Sequence, residues 1–222
     1  MRHAPCERLS RHPHEEAFAA VVLSGGYVEA GDTGRHSLEP GDVVLHRAWE
    51  SHLDQFDPRG AEVLLLAIGD LVGAAISGSV ADPDALARSS ERDPAAAAHQ
   101  LLVEIKPKAT PVGDWPDLLS ESLRSDPGLC LGDWAGAHGL HPGSVSRGFR
   151  QVFGITPASF RIVQRTRRAI EAVRGTQQPL QQIAQECGFS DQAHMSRAIR
   201  RMARTSPLAL RRARDAATSI PA

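Results

Sequence analysis

The sequence predicts an α+β protein, with a β-rich N-terminal part followed by an all-α C-terminal part. Three observations lead to this class. Short apolar runs separated by Gly- and Pro-containing turn signals occupy residues 1–68. From about residue 83, stretches rich in Ala, Leu and Glu with helical spacing replace them. One sequence pattern also occurs twice in the C-terminal half, and a repeat defines the structural unit.

The N-terminal part is predicted to be a small barrel or sandwich. Short strands at close, regular spacing are typical of these folds. Gly-containing turn signals stand at 24–26, 31–34 and 39–42. The predicted strands are 17–23, 27–30, 35–38, 43–46 and 61–68.

Helices are predicted over 84–92 and 93–105, where they cover the barrel or form a dimer surface. A linker over 106–115 follows, because this segment contains Pro107, Pro111 and Gly113. Residues 1–82 are therefore taken as one domain, 83–115 as a helical segment and linker, and 116–214 as a second domain. Further helices are predicted near 116–124, 132–138, 142–153, 157–174, 180–187, 191–203 and 207–214.

Charge is distributed unevenly between the two halves. Residues 1–106 hold 9 Lys and Arg against 17 Asp and Glu, whereas residues 107–222 hold 16 against 9, so net charges of −8 and +7 give the total of −1. Such asymmetry points to a basic, nucleic-acid-binding half. No apolar run reaches about 18 residues, so no membrane partner is expected. The lack of an apolar leader and the three scattered cysteines predict a cytoplasmic protein.

The repeated pattern has the features of a helix-turn-helix unit. Ser146-Arg147 and Ser196-Arg197 lie 50 residues apart, as do Thr156-Pro157 and Ser206-Pro207, and Arg161 and Arg211. In each copy a short helix is followed by a glycine, Gly139 or Gly188, which ends a helix without strain in the left-handed conformation. An apolar residue and a polar residue then lead into a second helix.

Both second helices are amphipathic. Val145, Phe149 and Phe153 share one face in the first copy, and Met195, Ile199 and Met202 do so in the second. The opposite faces carry Ser, Arg and Gln, the residue types that contact bases and phosphates. An ordinary solvated helix face is the alternative, and it explains the matching of the two copies less well.

Residues 116–214, which contain both copies of the repeat, resemble the AraC/XylS family of transcription regulators. The matching positions are Ile183-Ala184-x-x-x-Gly188-Phe189-x-Asp191-Gln192-x-His194-x-x-Arg197-x-x-Arg200, closing at Ser206-Pro207, together with Phe153-Gly154-Ile155-Thr156-Pro157-x-x-Phe160-Arg161. In that family two helix-turn-helix units, joined by a long helix, insert recognition helices into adjacent major grooves. Gly143 and Ile199 depart from the pattern, where a larger side chain and an aromatic are usual.

The resemblance implies a sequence-specific DNA-binding transcription regulator, not an enzyme. Its expected partners are double-stranded DNA, a small-molecule effector, a second copy in a homodimer, and RNA polymerase if it is an activator. The implied DNA-binding residues are Ser144, Ser146, Arg147, Arg150, Gln192, His194, Ser196, Arg197 and Arg200.

Residues 9–68 resemble a cupin barrel, the ligand-binding domain common in this regulator family. The resemblance implies ligand-binding roles for His12, His14 and His52. Alternation along a strand places His12, His14 and Glu16 on one face, so these residues with His52 are a candidate site for a divalent metal such as Zn, Fe, Ni or Mn. His46 is interpreted as a strand-end residue.

Two alternatives stay open for the N-terminal domain. Metal-binding cupins usually place a glutamate four or five residues after the second histidine, and Phe18 and Ala19 stand there. The histidines are then rim residues or contacts of an organic ligand. The competing function is a metal-dependent cupin enzyme, such as a dioxygenase or isomerase, with a helical appendage. A third hypothesis for the function is a constitutive DNA-binding protein with a vestigial barrel.

Overall fold

The computed structural model describes residues 1–69, 77–108, 113–126 and 128–218, without the side chains of 214–218. Contacts divide the chain into two compact units. The N-terminal unit comprises residues 1–117 with 152–154, and the C-terminal unit comprises 118–151 and the residues from 155 onward. Part of the predicted linker, 109–112, lies outside the described residues. Its first residues, Lys106–Pro107, pair as a strand and not as a loop.

An antiparallel sheet forms the N-terminal unit. Along the main path the strand order is β1-β6-β3-β5-β7-β8, while β2 pairs with β6 and β4 with β3. Within the described residues no pairing joins the two edges of the sheet, so the predicted closed barrel is not confirmed. The strands are β1 (Arg2–His3), β2 (Arg8–Pro13), β3 (Phe18–Gly31), β4 (Gly34–Leu38), β5 (Asp42–His46), β6 (Ser51–Ala67), β7 (Ser77–Ser79) and β8 (Lys106–Pro107).

The predicted turn at 24–26 is wrong, because β3 runs through it as one continuous strand. Gly25 has a φ of +72°, and the register with β6 shifts on both sides of it. This glycine therefore forms a bulge, which bends a strand instead of reversing it. The strand predicted at 61–68 is likewise the second half of β6, which begins at Ser51.

Side chains of the sheet alternate between two apolar layers, as the period of two in a strand requires. Ala19 and Val21 lie in one layer, together with Leu86 of α1 (Pro83–Arg92) and Leu101 of α2 (Pro94–Glu104). Ala20 and Val22 lie in the other layer. Of the two roles left open for the 84–105 helices, the structure shows that they cover the sheet.

The C-terminal unit is helical. Its helices begin within one residue of the predicted positions, and all but α9 also end within one residue of them. The helices are α3 (Trp115–Ser125), α4 (Leu131–Ala137), α5 (Pro142–Phe153), α6 (Pro157–Gly175), α7 (Leu180–Glu186), α8 (Gln192–Ala203) and α9 (Pro207–Thr218). In the described part of the chain, no helix has the combination of length and apolar character that crossing a membrane demands.

The sequence repeat corresponds to a structural repeat in the helix caps. The Thr156 hydroxyl accepts a hydrogen bond from the Ser159 N–H at the start of α6, and the Ser206 hydroxyl accepts one from the Ala209 N–H at the start of α9. Arg161 donates to the Leu129 carbonyl just before α4. Arg211, its counterpart, donates to the Gln178 carbonyl just before α7, at 2.8 Å. Both arginines thus hold the segment that enters the first helix of their unit.

Replacing Gly25 by alanine is expected to destabilise the N-terminal unit strongly. A Cβ at this position would lie 1.9 Å from the Gly60 carbonyl oxygen, so the bulge has to open in addition to bearing left-handed strain. We expect Gly25→Ala to lower the free energy of unfolding by about 3 kcal/mol or more, measured by urea denaturation.

Gly69→Ala is the matched control for that substitution. Gly69 also has a positive φ, +60°, but a Cβ there meets no atom of the described residues within 4 Å. Its cost should be limited to backbone strain, about 1 kcal/mol. If the two substitutions lower the free energy of unfolding equally, the close approach of β6 to Gly25 on β3 does not contribute to the cost of Gly25→Ala.

Candidate functional site

The N-terminal unit contains a cavity of about 160 Å³ on the side of the sheet away from α1 and α2. Most of its lining is apolar, including Leu9, Phe18 and Phe56. Its polar lining is dominated by imidazoles and one carboxylate, and these come from β1, β2, the segment after β2, and β6. The lining residues with polar groups are His3, His12, His14, Tyr27, His52 and Asp54.

The three predicted ligand-binding residues, His12, His14 and His52, converge at this cavity. His12 on β2 pairs in register with His52 on β6, and His14 follows directly after β2. One ring nitrogen from each lies within 4.8 Å of the others. The Nε2 atoms of His14 and His52 are only 2.8 Å apart. The structure thus brings together three imidazoles as the spacing in the sequence suggested.

Glu16, the fourth residue of the candidate metal set, does not join them. The strand ends at Pro13, so the alternation that would have carried Glu16 to the same face stops before it. Glu16 lies exposed in a bend, and it belongs to neither group of potential metal ligands in the described residues.

A carboxylate that sequence reasoning missed, Glu29, lies beneath the imidazoles. Its side chain is fully buried on β3, with an oxygen 2.9 Å from His52 Nδ1 and 3.2 Å from His46 Nε2. Asp54 approaches His52 Nδ1 to 3.2 Å from the other side. His46 does end its strand as predicted, but it is buried and takes part in this network. The only sequence signal was an acidic residue within a predicted strand.

The protonation states of these groups follow from burial and from their neighbours. Burial, together with the charges of His52, His12 and His46, lowers the pKa of His14 to about 4, so this imidazole is neutral at pH 7. Burial opposes the charged form of His52, but Asp54 and Glu29 outweigh it and raise its pKa to about 10. Burial likewise opposes ionisation of Glu29, and His46 and His52 outweigh it and hold its pKa well below 4.5.

The C-terminal unit contains two corners of the same geometry, each closed by a glycine. Gly139 (φ +65°) follows α4 and Gly188 (φ +77°) follows α7. One residue later, the Leu140 N–H donates to the Ala135 carbonyl, and the Phe189 N–H donates to the Ala184 carbonyl, each at 2.9 Å. This closure of a helix end by a left-handed glycine fixes the direction in which α5 and α8 leave the corner.

The helix after each corner buries one face and exposes the other. Val145 and Phe149 of α5 are buried, and the ring of Phe149 meets Phe160 edge to face at 5.4 Å between centroids. Met195 and Ile199 of α8 are buried in the same way. The departure noted at Ile199 thus concerns a core position. The exposed faces are polar and basic.

Comparisons with known proteins agree with this geometry. Residues 134–213 match a family model described as a helix-turn-helix domain, and this range runs from the middle of α4 into α9. This range contains both glycine-closed corners, at Gly139 and Gly188. The C-terminal unit therefore carries a helix-turn-helix domain.

One curated relative is the protein named "Probable transcriptional regulator LumQ" from Photobacterium leiognathi. It is 41% identical to this chain over 59 residues, which are 27% of this chain and 24% of LumQ. The match therefore spans about a quarter of the relative's length.

Solved structures similar to this chain include three regulators or parts of them. The C-terminal domain of the response regulator AraT from Geobacillus stearothermophilus is 25% identical, with a TM-score of 0.41, over 45% of this chain and 84% of that one. An AraC-type regulator from Chromobacterium violaceum is 26% identical, with a TM-score of 0.41, over 43% and 88%. ToxT from Vibrio cholerae with a bound unsaturated fatty acid is 11% identical, with a TM-score of 0.44, over 94% and 92%.

The helix-turn-helix domain presents most of the predicted DNA-binding side chains to solvent. His194 and Ser196 of α8 are half-buried. The His194 ring packs edge-on against Phe189, and its Nδ1 lies 3.1 Å from the Ser190 hydroxyl, so this histidine also supports the corner. The exposed residues are Ser144, Ser146, Arg147 and Arg150 on α5, and Gln192, Arg197 and Arg200 on α8.

Asp191 fixes the start of α8 in the helix-turn-helix domain. Its carboxylate accepts a hydrogen bond of 2.6 Å from the His194 N–H, and this bond lowers the pKa of Asp191. A negative charge at a helix N-terminus is also favourable toward the helix dipole. Helix α8 therefore has a defined first turn, from which Gln192 projects into solvent.

The stability of the N-terminal unit should fall as the pH decreases from 6.5 to 5 in the presence of EDTA. His14 has its ordinary pKa of 6.5 in the unfolded chain and a pKa of about 4 in the folded chain, so the unfolded state binds more protons between pH 6.5 and 5. Because His14 is only half-buried, solvent screening reduces the effect to about 1 kcal/mol. Urea denaturation followed by tryptophan fluorescence measures it.

His14→Gln tests the origin of that pH dependence. Because the pKa of His52 is raised on folding, the stability that His52 contributes is already complete below pH 6.5. Because the pKa of Glu29 is lowered on folding, the stability that Glu29 contributes is lost only below about pH 4.5. Neither group therefore changes the free energy of unfolding between pH 6.5 and 5. The variant should therefore show a flatter profile there. A slope equal to that of the unmodified chain would assign the effect to another group.

Proposed function

We propose that the chain is a sequence-specific DNA-binding transcription regulator. The supporting observation is the pair of helices α5 and α8, each leaving a glycine-closed corner with its apolar face buried and its Arg-bearing face in solvent. In a helix-turn-helix unit the second helix lies in the major groove and its exposed side chains contact base edges. Two such helices in one domain would read two neighbouring groove segments of one duplex.

The exposed side chains suit base recognition. The guanidinium groups of Arg147 and Arg197, which occupy equivalent positions in the repeat, are able to make bidentate contacts with guanine, and Gln192 with adenine. The +7 charge of residues 107–222 adds a sequence-independent attraction to phosphates. The nine residues Ser144, Ser146, Arg147, Arg150, Gln192, His194, Ser196, Arg197 and Arg200 form the proposed contact set.

The N-terminal unit is proposed to be a cupin-like sensor that binds a small-molecule effector. The cavity volume of about 160 Å³ is close to that of an engineered cavity that admits benzene, roughly 150 Å³. His12, His14 and His52 supply polar contacts within an otherwise mainly apolar lining. Control of transcription then requires that the effector bind one state of the regulator more tightly than another.

The remaining partners follow from this role. A homodimer would present two copies of the helix pair to a longer operator, and an activator would also contact RNA polymerase. The proposal assigns no catalytic step to the chain, so a bound effector should be released unchanged. Recovery of a chemically altered ligand would favour a metal-dependent enzyme instead.

The decisive experiment is selection of bound sequences from a random pool of double-stranded DNA with the purified chain. A regulator of this kind should enrich one motif, with two conserved segments about one helical turn apart, to match helices in adjacent grooves. Recovery of unenriched, random sequences would overturn the proposal of sequence-specific binding.

Replacing Arg197 by alanine should weaken binding to the selected motif by about 1–3 kcal/mol and relax the preference at one base pair, since a bidentate contact is lost. A gel-shift titration against the motif and its single-base variants measures both effects.

Arg88→Ala is the charge-matched control, because Arg88 is exposed on α1 in the other unit. It should leave the affinity and the base preference unchanged. If Arg197→Ala behaves like Arg88→Ala, Arg197 is not among the residues that read the sequence.

The affinity for DNA should fall steeply with salt. Each phosphate that an arginine neutralises releases counterions, so about six contacts would reduce the binding constant by about a thousandfold between 50 and 200 mM salt. Fluorescence anisotropy with a labelled duplex measures the slope. A decrease below about tenfold would mean that phosphate contacts are few and that DNA is not the partner of the basic unit.

A further inference from the structure

Gly143, in the first turn of α5, leaves a gap between two exposed polar side chains. A Cβ at this position would lie 3.2 Å from His141 Nδ1 and 3.9 Å from Arg147 Nη1. The imidazole and the guanidinium group therefore border the same gap, one from just before the helix and one from its second turn. The gap lies at the position where the sequence pattern usually has a larger side chain.

His141 is the residue from which the hydrogen bonds of α5 begin. Its carbonyl accepts hydrogen bonds from the Ser144 N–H at 2.9 Å and from the Val145 N–H at 3.1 Å. Its imidazole Nδ1 accepts a further bond from the Gly143 N–H, at 3.1 Å. The ring thus takes the place of the side-chain oxygen that commonly caps a helix N-terminus. These bonds fix His141 at the end of α5, while its side chain stays exposed.

The cap also determines which nitrogen of the His141 ring carries hydrogen. A nitrogen that accepts a hydrogen bond must offer its lone pair, so Nδ1 is unprotonated and the ring hydrogen is on Nε2. Nδ1 faces the backbone of α5, and Nε2 lies across the ring from it. His141 is therefore an acceptor toward its own helix and a donor toward whatever lies beyond the helix end.

The second copy uses the equivalent position differently. His141 and Ser190 both stand two residues after the corner glycine. The Ser190 hydroxyl donates to the Asp191 carboxylate at 3.2 Å and lies 3.1 Å from His194 Nδ1, so its hydrogen is used within the corner. Asp191 then places an exposed carboxylate at the start of α8, whereas α5 has no acidic residue in its first turn. The two helices thus begin with opposite hydrogen-bonding character.

We propose that His141 is a further base-reading residue, which donates from Nε2 to an acceptor atom of guanine in the groove segment that α5 contacts. The first residues of such a helix are those that contact base edges. In the major groove guanine presents two acceptors, N7 and O6, whereas adenine presents one acceptor beside a donor and cytosine presents a donor. The inference rests on the proposed function and adds one residue, with the base it prefers, to the proposed contact set.

The missing side chain at Gly143 allows His141 and Arg147 to act together. Because 3.2 Å is closer than an ordinary van der Waals contact, a side chain at this position would push the imidazole away from its cap. Successive base pairs are about 3.4 Å apart along the duplex, so two donors that border one gap reach the same or neighbouring base pairs. The arginine is itself suited to guanine. The motif segment read by α5 should therefore contain guanine at neighbouring positions.

The test compares the motifs that the full chain and its His141→Ser variant select from a random pool of double-stranded DNA. A serine hydroxyl still caps a helix, as the Thr156 and Ser206 hydroxyls do in this chain, but it lacks the distant Nε2 donor. We expect the variant to lose the preference for guanine at one base pair. We expect it to bind the original motif about 2- to 10-fold more weakly, as loss of one hydrogen bond implies. Gel-shift titration measures the affinity.

A double-mutant cycle pairs this variant with a change in the DNA. Replacing G·C by A·T at the relaxed position should weaken binding of the unmodified chain about as much as His141→Ser does. The same base change should weaken binding of His141→Ser little further, because the contact is already lost. Arg147→Ala should relax the same base pair or a neighbouring one, since both side chains border the gap at Gly143.

His99→Ser is the matched control, because His99 is exposed on α2 in the other unit. It should select the same motif with the same affinity as the unmodified chain. Circular dichroism checks that His141→Ser is folded. If it is not, His141→Thr, which also keeps a hydroxyl at the cap, takes its place in the comparison.

Two results would overturn the proposal. One is that folded His141→Ser keeps every base preference of the unmodified chain, in which case His141 only caps α5 or contacts a phosphate. The other is that the effects of His141→Ser and of the base change multiply, so that they are independent. If the unmodified chain enriches no motif, the proposed function fails as well. A motif that the variant selects unaltered overturns this inference alone.

Discussion

The proposed DNA-binding surface of this chain depends on a backbone conformation that glycine adopts readily. At Gly139 and Gly188 the chain turns into the left-handed region, and the next residue closes the corner with a hydrogen bond back to the preceding helix. That closure sets the axis of the following helix, so Phe149 and Ile199 enter the core and Arg147 and Arg197 face solvent. A Cβ at Gly188 would also lie 3.1 Å from the Arg165 side chain, so the second corner is restricted by packing as well as by φ.

The N-terminal unit is organised around a different constraint, the burial of charge. Glu29, Asp54, His46 and His52 come from β3, β5 and β6, and they meet only because the long strands β3 and β6 pair along most of their length. The bulge at Gly25 interrupts the register between the two halves of that ladder. Each half then pairs with its own outer strand, β5 with the first half of β3 and β4 with the second. The cavity lies over one face of this sheet, while α1 and α2 cover the other.

Sequence reasoning predicted the helical half closely and the β half less well. Helix ends are marked by local signals, such as Thr156-Pro157, Asp191 and Gly188, which act within one turn of the residue that carries them. A glycine in a strand has more than one local meaning, and at 24–26 it was taken for a turn although it makes a bulge. Closure of a sheet into a barrel depends on pairing between distant strands, so turn spacing alone does not determine it.

By itself the sequence determined the duplicated helix-turn-helix pattern, the faces of α5 and α8, and the candidate roles of His12, His14 and His52. These follow from spacings of a few residues, or from a repeat visible in the chain. Only the tertiary structure decided that Glu29, and not Glu16, lies beside His52. The strand carrying His12 ends at Pro13, before the chain reaches Glu16. Glu29 lies 23 residues before His52 in the sequence, and the long-range pairing of β3 with β6 brings the two residues together. Such a pairing leaves no periodic trace in the amino-acid sequence.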